Sequence, residues 1–297
     1  MRLWRTVQDR EDWGTLLGVA CGTGAALFWA LGLAAGRHGI LIGFAPADIV
    51  FHRFVWAGLL FLPFFVRDVL PLVGWRKSLL LTLTAGPLLA FFSYAGFLFV
   101  PLAHGGVFQP AAAAVGGLLL ARLVLGEKLP VQRALGAAVI IAGLCVIGVE
   151  ALATIGLHGL IGDLSFATAG LLFAIFATLL RKWRIAPLRA VAVISVVSLG
   201  AIPIYWATVG FQNMIAQGVF ENLLQAFAQG IFGGAGAVYL FTQAVVRLGA
   251  SRAAVFPSLV PGFALLLSPV LLGEIPTMLQ LAGFLIVLIG FRLTQKG

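Results

Sequence analysis

The chain has 297 residues, 61% of them hydrophobic and only 10% charged, against about 25% charged in an average soluble domain. An aqueous protein this apolar would lack the polar surface to cover itself, so much of the chain must be solvated by lipid. The net charge of +9 does not point to nucleic acid, because the basic residues fall in short clusters between apolar runs and not along one face.

Ten apolar runs follow one another, each near the length of about 20 residues that a spanning helix needs. They lie at roughly 15–36, 47–66, 78–98, 104–122, 130–149, 160–180, 188–207, 223–246, 252–272 and 276–293. The apolar part of the first run, about Thr15 to Ala35, exceeds the roughly 7–15 residues of a cleavable signal core. It is therefore expected to stay as a membrane helix. Pro46, Pro130, Pro187 and Pro276 fall at or just before run starts, where a missing N–H costs least. The longest polar connection is about Gly210–Asn222. Cys21 and Cys145 lie inside apolar runs, which argues against a disulfide framework.

The charges orient the runs. Arg2, Arg5 and Arg10 precede the first, and Arg67, Arg76 and Lys77 join the second to the third. Arg122, Lys128 and Arg133 surround the next such turn, and Arg181, Lys182, Arg184 and Arg189 the one after. Arg247 and Arg252 flank the eighth-to-ninth turn, and Arg292 and Lys296 end the chain. Seventeen of the nineteen basic residues thus share one side, leaving Arg37 opposite and Arg53 inside the second run. By the positive-inside rule that side, with both termini, is cytoplasmic.

One stretch occurs twice. Pro110, Leu125-Gly126-Glu127, Gly136 and Gly143 recur as Pro257, Leu272-Gly273-Glu274, Gly283 and Gly290, all displaced by the same 147 residues. That displacement spans five helices, an odd number, so the second copy must enter the membrane from the opposite side. Inverted duplication is the symmetry of secondary transporters, whose site between the halves opens to alternate sides.

These residues also resemble a known family. Leu27-Phe28-Trp29-Ala30, Arg53-Phe54, Leu125-Gly126-Glu127 with Gly136 and Gly143, Gly162-Asp163-Leu164 and Leu272-Gly273-Glu274 look like two EamA-type repeats. These are the units of the drug/metabolite transporter superfamily, and within it the chain looks most like the YddG-type exporters of aromatic and other amino acids. The resemblance implies an all-α integral membrane fold. Ten helices would form two inverted five-helix units, 15–149 and 160–293, around a central cavity. The second unit departs from the pattern: Ala174 stands where the first has Trp29, and nothing in the seventh run matches Arg53.

Pro110, Pro257 and Pro261 lie within predicted spans, and each strips a backbone carbonyl of its partner. They are expected to bend helices that line a cavity; a static packing kink is the alternative. Gln109 and Ser258 would then sit at opposite gates. Tyr94, His104, Tyr239 and Gln243, with Ser93 and Thr242, are polar residues in apolar runs, which face the interior or a wet cavity or bond between helices. Trp29 is too deep for an interfacial belt and is either core or cavity wall; Phe173 and Phe176 read as core. Arg53 either meets a substrate carboxylate or pairs with Asp48 or a carbonyl. Asp48 and His52, at i and i+4, are spaced to bond each other. Glu127 and Glu274 complement helix starts or form gating ion pairs. Asp48, Glu150, Asp163, Glu221 and Glu274 all fall near run ends, so no mid-membrane carboxylate is expected to relay protons, with His104 as the candidate should that fail.

The expected function is export of aromatic and other neutral amino acids, or related small metabolites, across a bacterial inner membrane by alternating access. A drug or nucleotide-sugar carrier is the alternative. A membrane enzyme is a remote one, since no nucleophile, base and oxyanion donor converge in sequence. No catalytic residue, metal or cofactor is expected. The partners are the small substrate and the bilayer, not nucleic acid, and the chain is expected to be monomeric.

Overall fold

The computed structural model describes residues 2–248, 253 and 256–295, with side chains from residue 13 onward except at 68 and 295. Arg2, Arg5, Arg10, Arg252 and Lys296, used above to set orientation, therefore lie outside the described side chains. Among the described residues each predicted run falls in one helix, and the polar connection expected at about Gly210–Asn222 is itself mostly helical and opens the eighth. The helices are α1 (Arg2–Ile42), α2 (Pro46–Arg67), α3 (Trp75–Leu98), α4 (Leu102–Val124), α5 (Val131–Thr154), α6 (Leu157–Trp183), α7 (Pro187–Thr208), α8 (Gln212–Leu248), α9 (Phe256–Leu272) and α10 (Met278–Thr294). The first eight contain spans long and apolar enough to cross a membrane, and α9 and α10 are shorter apolar helices. Short connections make successive helices antiparallel, so both ends of the chain share one face, the terminal face. The loops after α1, α3, α5, α7 and α9 lie on the opposite face.

Local chemistry explains the ends and breaks. Pro46 opens α2, and the Asp48 carboxylate accepts the Ala45 N–H at 2.7 Å. Helix α3 breaks at Gly86, ahead of Pro87. Helix α8 turns at Gly218, whose φ of +77° no ordinary side chain favours. It then runs through a wide π-helical stretch, Ala226–Gly236. Pro110 lies inside a continuous helix, whereas Pro257 sits in a 3₁₀ turn, Phe256–Leu259, and Pro261 in the first turn of the α-helix that follows.

Large apolar side chains such as Leu123, Val219 and Val270 face outward, while alanines and glycines fill the helix contacts. Between helices in lipid this is the expected distribution, since close backbone approach replaces the hydrophobic drive. The α5–α10 contact carries the symmetry. A Cβ on Gly136 would lie 2.9 Å from the Gly290 oxygen, and one on Gly290 2.8 Å from the Gly136 oxygen. Gly143 and Gly283 meet in the same reciprocal way, at 2.7 and 2.9 Å. Because Gly283 and Gly290 are the second copies of Gly136 and Gly143, each glycine meets the copy of the other. Only antiparallel copies related by a two-fold axis across their shared contact give that pairing.

Candidate functional site

A polar chain crosses the interior where α1, α2, α3 and α8 meet. Arg53 donates to the Tyr94 hydroxyl at 3.5 Å, and Tyr94 donates to Gln229 Oε1 at 2.6 Å. Gln229 Nε2 donates to the Gly32 carbonyl at 2.8 Å and faces Gln225 Oε1 at 3.3 Å. Gln225 Nε2 in turn donates to the Ala35 carbonyl at 2.7 Å. Both glutamines are fully buried, Tyr94 nearly so, and Arg53 half-buried. At 1.5 Å per residue the group lies about 10–15 Å below the opposite face, near the middle of a hydrocarbon layer about 30 Å thick. Glycines permit it: Gly32 and Gly233 pack backbone to backbone, and a Cβ on Gly233 would stand 3.6 Å from the Arg53 guanidinium. Trp29 and Phe241, 5.6 Å apart, and Phe28 and Phe232, 5.2 Å apart, line the same α1–α8 seam.

Nearer the opposite face, Asp48 and His52 do not bond each other, contrary to their spacing. Asp48 accepts from Tyr205 at 2.7 Å and Asn213 at 3.3 Å. His52 Nδ1 accepts the Trp56 indole N–H at 3.1 Å, which leaves its Nε2–H to donate to Asn222 Oδ1 at 3.1 Å. Helical periodicity made the two neighbours, but α7 and the polar segment opening α8 reach them first.

The two Leu-Gly-Glu turns share a backbone, with φ of +68° at both Gly126 and Gly273. Each glutamate pairs with an arginine near the end of the other unit's first helix. Glu274 meets Arg37 at 2.7 Å and also accepts the Leu102 N–H at 2.8 Å, with both side chains mostly buried. Arg37 also reaches the Phe97 carbonyl. Glu127 pairs with Arg181, and both are exposed. Between the units at the opposite face lies a cavity of about 340 Å³, lined by Glu150, Thr154, Ser268, Glu274 and Gln280 among others. A second, apolar one of about 270 Å³ opens between α2, α3 and α7.

Of the residues singled out by sequence, Arg53 and Tyr94 meet at this polar chain, and Trp29 packs on Phe241 farther along the α1–α8 seam. His104 is fully buried in a separate group with Asp163, Glu150 and Gln280. Gln109 Oε1 is buried and has no hydrogen-bond partner among the described residues. Gln243 accepts from Arg247 at 2.9 Å toward the terminal face, where Ser258 also lies on α9. Tyr239 is 55% exposed on the outside of the bundle, and Phe173, read as core, is 44% exposed, while Phe176 is buried. Sequence reading passed over Gln225 and Gln229, although two glutamines one turn apart in an apolar run are a readable signal.

The sequence profile of the EamA-like transporter family matches the chain twice, over residues 16–149 and 160–294. No curated relative matches by sequence. A solved structure, described only as a crystal structure of a protein, shares 18% identity with a TM-score of 0.59, covering 95% of this chain and 96% of that one. At that identity the likeness speaks for the fold alone. The profile accounts for both halves of a bundle built from two antiparallel copies, and the chain belongs to the EamA-like family of membrane transporters, within the drug/metabolite transporter superfamily.

Proposed function

We propose that the chain exports neutral amino acids, aromatic ones included, by alternating access about the polar chain between α1, α2, α3 and α8. One observation carries this reading: Arg53, Tyr94 and Gln229 converge at mid-depth, at a junction to which both units contribute and along whose α1–α8 seam two aromatic pairs follow. Arg53 meets the substrate carboxylate; Tyr94 and the glutamines exchange their mutual hydrogen bonds for bonds to its polar groups; Trp29 and Phe241 take its side chain. The group's single arginine suits one carboxylate. A nucleotide sugar would call for several cations around its phosphates. Gln109, Gln243 and Ser258 extend the path toward the two faces, with Pro110, Pro257 and Pro261 as bending points. Tyr239 is left outside the pathway by its exposure.

The test is counterflow of labelled amino acids in proteoliposomes. Saturable exchange of neutral amino acids is expected, with affinity reduced about tenfold or more by Arg53→Gln, since a hydrogen bond to a charged group contributes about 1.5–3 kcal/mol. Absence of saturable flux across the panel overturns the substrate class.

The protein is further proposed to sit in a bacterial inner membrane with its termini cytoplasmic. A cysteine replacing Ile275 should then react with an impermeant maleimide in intact cells, and one replacing Lys128 only after permeabilisation. Labelling of both from outside sinks the orientation.

A further inference from the structure

We propose that His104, Asp163 and Glu150 form a proton-binding site, and that its proton exchanges with the opposite face through the cavity that Glu150 lines. The three side chains come from α4, α6 and α5. All are at least nine-tenths buried, as is Gln280 of α10, which joins them.

Hydrogen-bond direction assigns the charge state. Thr277-Met278-Leu279-Gln280 is a capping box: Gln280 Oε1 accepts the Thr277 N–H and Thr277 Oγ1 accepts the Gln280 N–H, both at 3.2 Å. Gln280 must therefore turn its amide N–H bonds inward, where Nε2 lies 3.1 Å from His104 Nε2 and 3.2 Å from Glu150 Oε2. With the Gln280 donor at 3.1 Å and Glu150 Oε2 at 3.6 Å, beyond hydrogen-bond length, His104 Nε2 is assigned as an acceptor and the ring as neutral. Its proton sits on Nδ1 and is donated to Asp163 Oδ1 at 2.8 Å. Two carboxylates then share a buried site with no cation, which is costly unless a proton is taken up.

Asp163 adds an independent sign. Its Oδ2 is buried with no hydrogen-bond partner among the described residues, and it points toward Gly148 on α5. A bare anionic oxygen in that position is the atom a proton would neutralise. Glu150 connects the group to water, because it lines the 340 Å³ cavity. The charged groups facing the cluster are few. Across the cavity Glu274 is already held by Arg37, and His158, on α6, stacks on Phe99 at the exposed edge. Neither supplies a cation to Asp163 or Glu150. Among the described residues no three such side chains converge as metal ligands.

Binding adds one proton from water to a carboxylate oxygen, and release returns it by the same route. Run ends are where these carboxylates lie, as their sequence positions indicate, but their burial around His104 makes the opposite-face end of the bundle, not its centre, the place for proton exchange. The coupling of this proton to flux rests on the transporter reading; its presence does not.

Infrared spectra of the purified protein test its presence without any substrate. At neutral pH a deuterium-sensitive carboxylic acid C=O band is expected, and it should be lost in Glu150→Gln or in Asp163→Asn. Spectra of both variants identical to the parent overturn the proposal. Should the variants not assemble, carboxyl- and imidazole-labelled parent protein carries the same test by magnetic resonance. A protonated carboxyl beside a neutral Nδ1–H histidine supports it. An imidazolium His104, or all ten acidic residues ionised, overturns it.

Discussion

At the scale of the residue, the polar chain Arg53–Tyr94–Gln229–Gln225 is a set of groups each satisfied by the next. Removing one member leaves another buried and unpaired. In Gln229→Leu the Tyr94 hydroxyl and the Gly32 carbonyl both lose a partner. A double-mutant cycle of Tyr94→Phe with Gln229→Leu, read from unfolding of the reconstituted protein, should return a coupling of about 0.6–1.7 kcal/mol, the range for hydrogen bonds between membrane helices. A coupling near zero would mean that the 2.6 Å contact is incidental. Arg53 and Tyr94 were legible in the sequence because a charge or a hydroxyl in an apolar run is costly unless it faces a partner. The bonds themselves were not, because every partner but one in this chain comes from a different helix. The same limit explains Asp48 and His52. Intrahelical spacing proposed one neighbour, and α7 together with the segment opening α8 supplied better ones.

At the scale of the element, glycine decides how closely helices approach. The α5–α10 seam leaves no room for a methyl group at Gly143, since its Cβ would stand 2.7 Å from the Gly283 oxygen and 2.9 Å from the Val287 nitrogen. Backbone cannot step aside as a flexible side chain can. Gly143→Ala should therefore cost about 1–3 kcal/mol, the usual range for overpacking, and lower the melting temperature in detergent. Gly117→Ala on α4, with nothing within 4 Å of the added atom, should leave it unchanged or raise it slightly. Equal effects at the two positions would remove the seam from its structural role. Helix number and order were readable from run lengths alone. The interruptions were less so: Gly86-Pro87 in α3 is a visible breaker, whereas the π-helical stretch of α8, packed against α1 and α2, contains no such dipeptide.

At the scale of the whole molecule, an inverted pair of units makes the two faces comparable. Two copies of one turn hold their glutamates differently. Glu274 is clamped by Arg37 and the Leu102 N–H away from solvent, while Glu127 meets Arg181 in the open. Sequence duplication announced the symmetry, since five helices per copy forces inversion. It could not announce this asymmetry, which is a property of the conformation and not of the repeat. If the units exchange roles during transport, the tight latch at the opposite face must loosen as the terminal face tightens. Exposed ion pairs contribute roughly 0–1 kcal/mol, whereas breaking a buried pair costs more, so Glu274→Gln should shift the balance and Glu127→Gln should scarcely do so. Spin labels at Leu41 and Ile275 report the opposite face, and labels at Lys128 and Ala186 the counterpart turn and helix end at the terminal face. In Glu274→Gln the first distance should lengthen and the second shorten, in one population shift. Lengthening of the first alone would mean that the Arg37–Glu274 pair merely ties down a loop, and that the two faces are not linked through it.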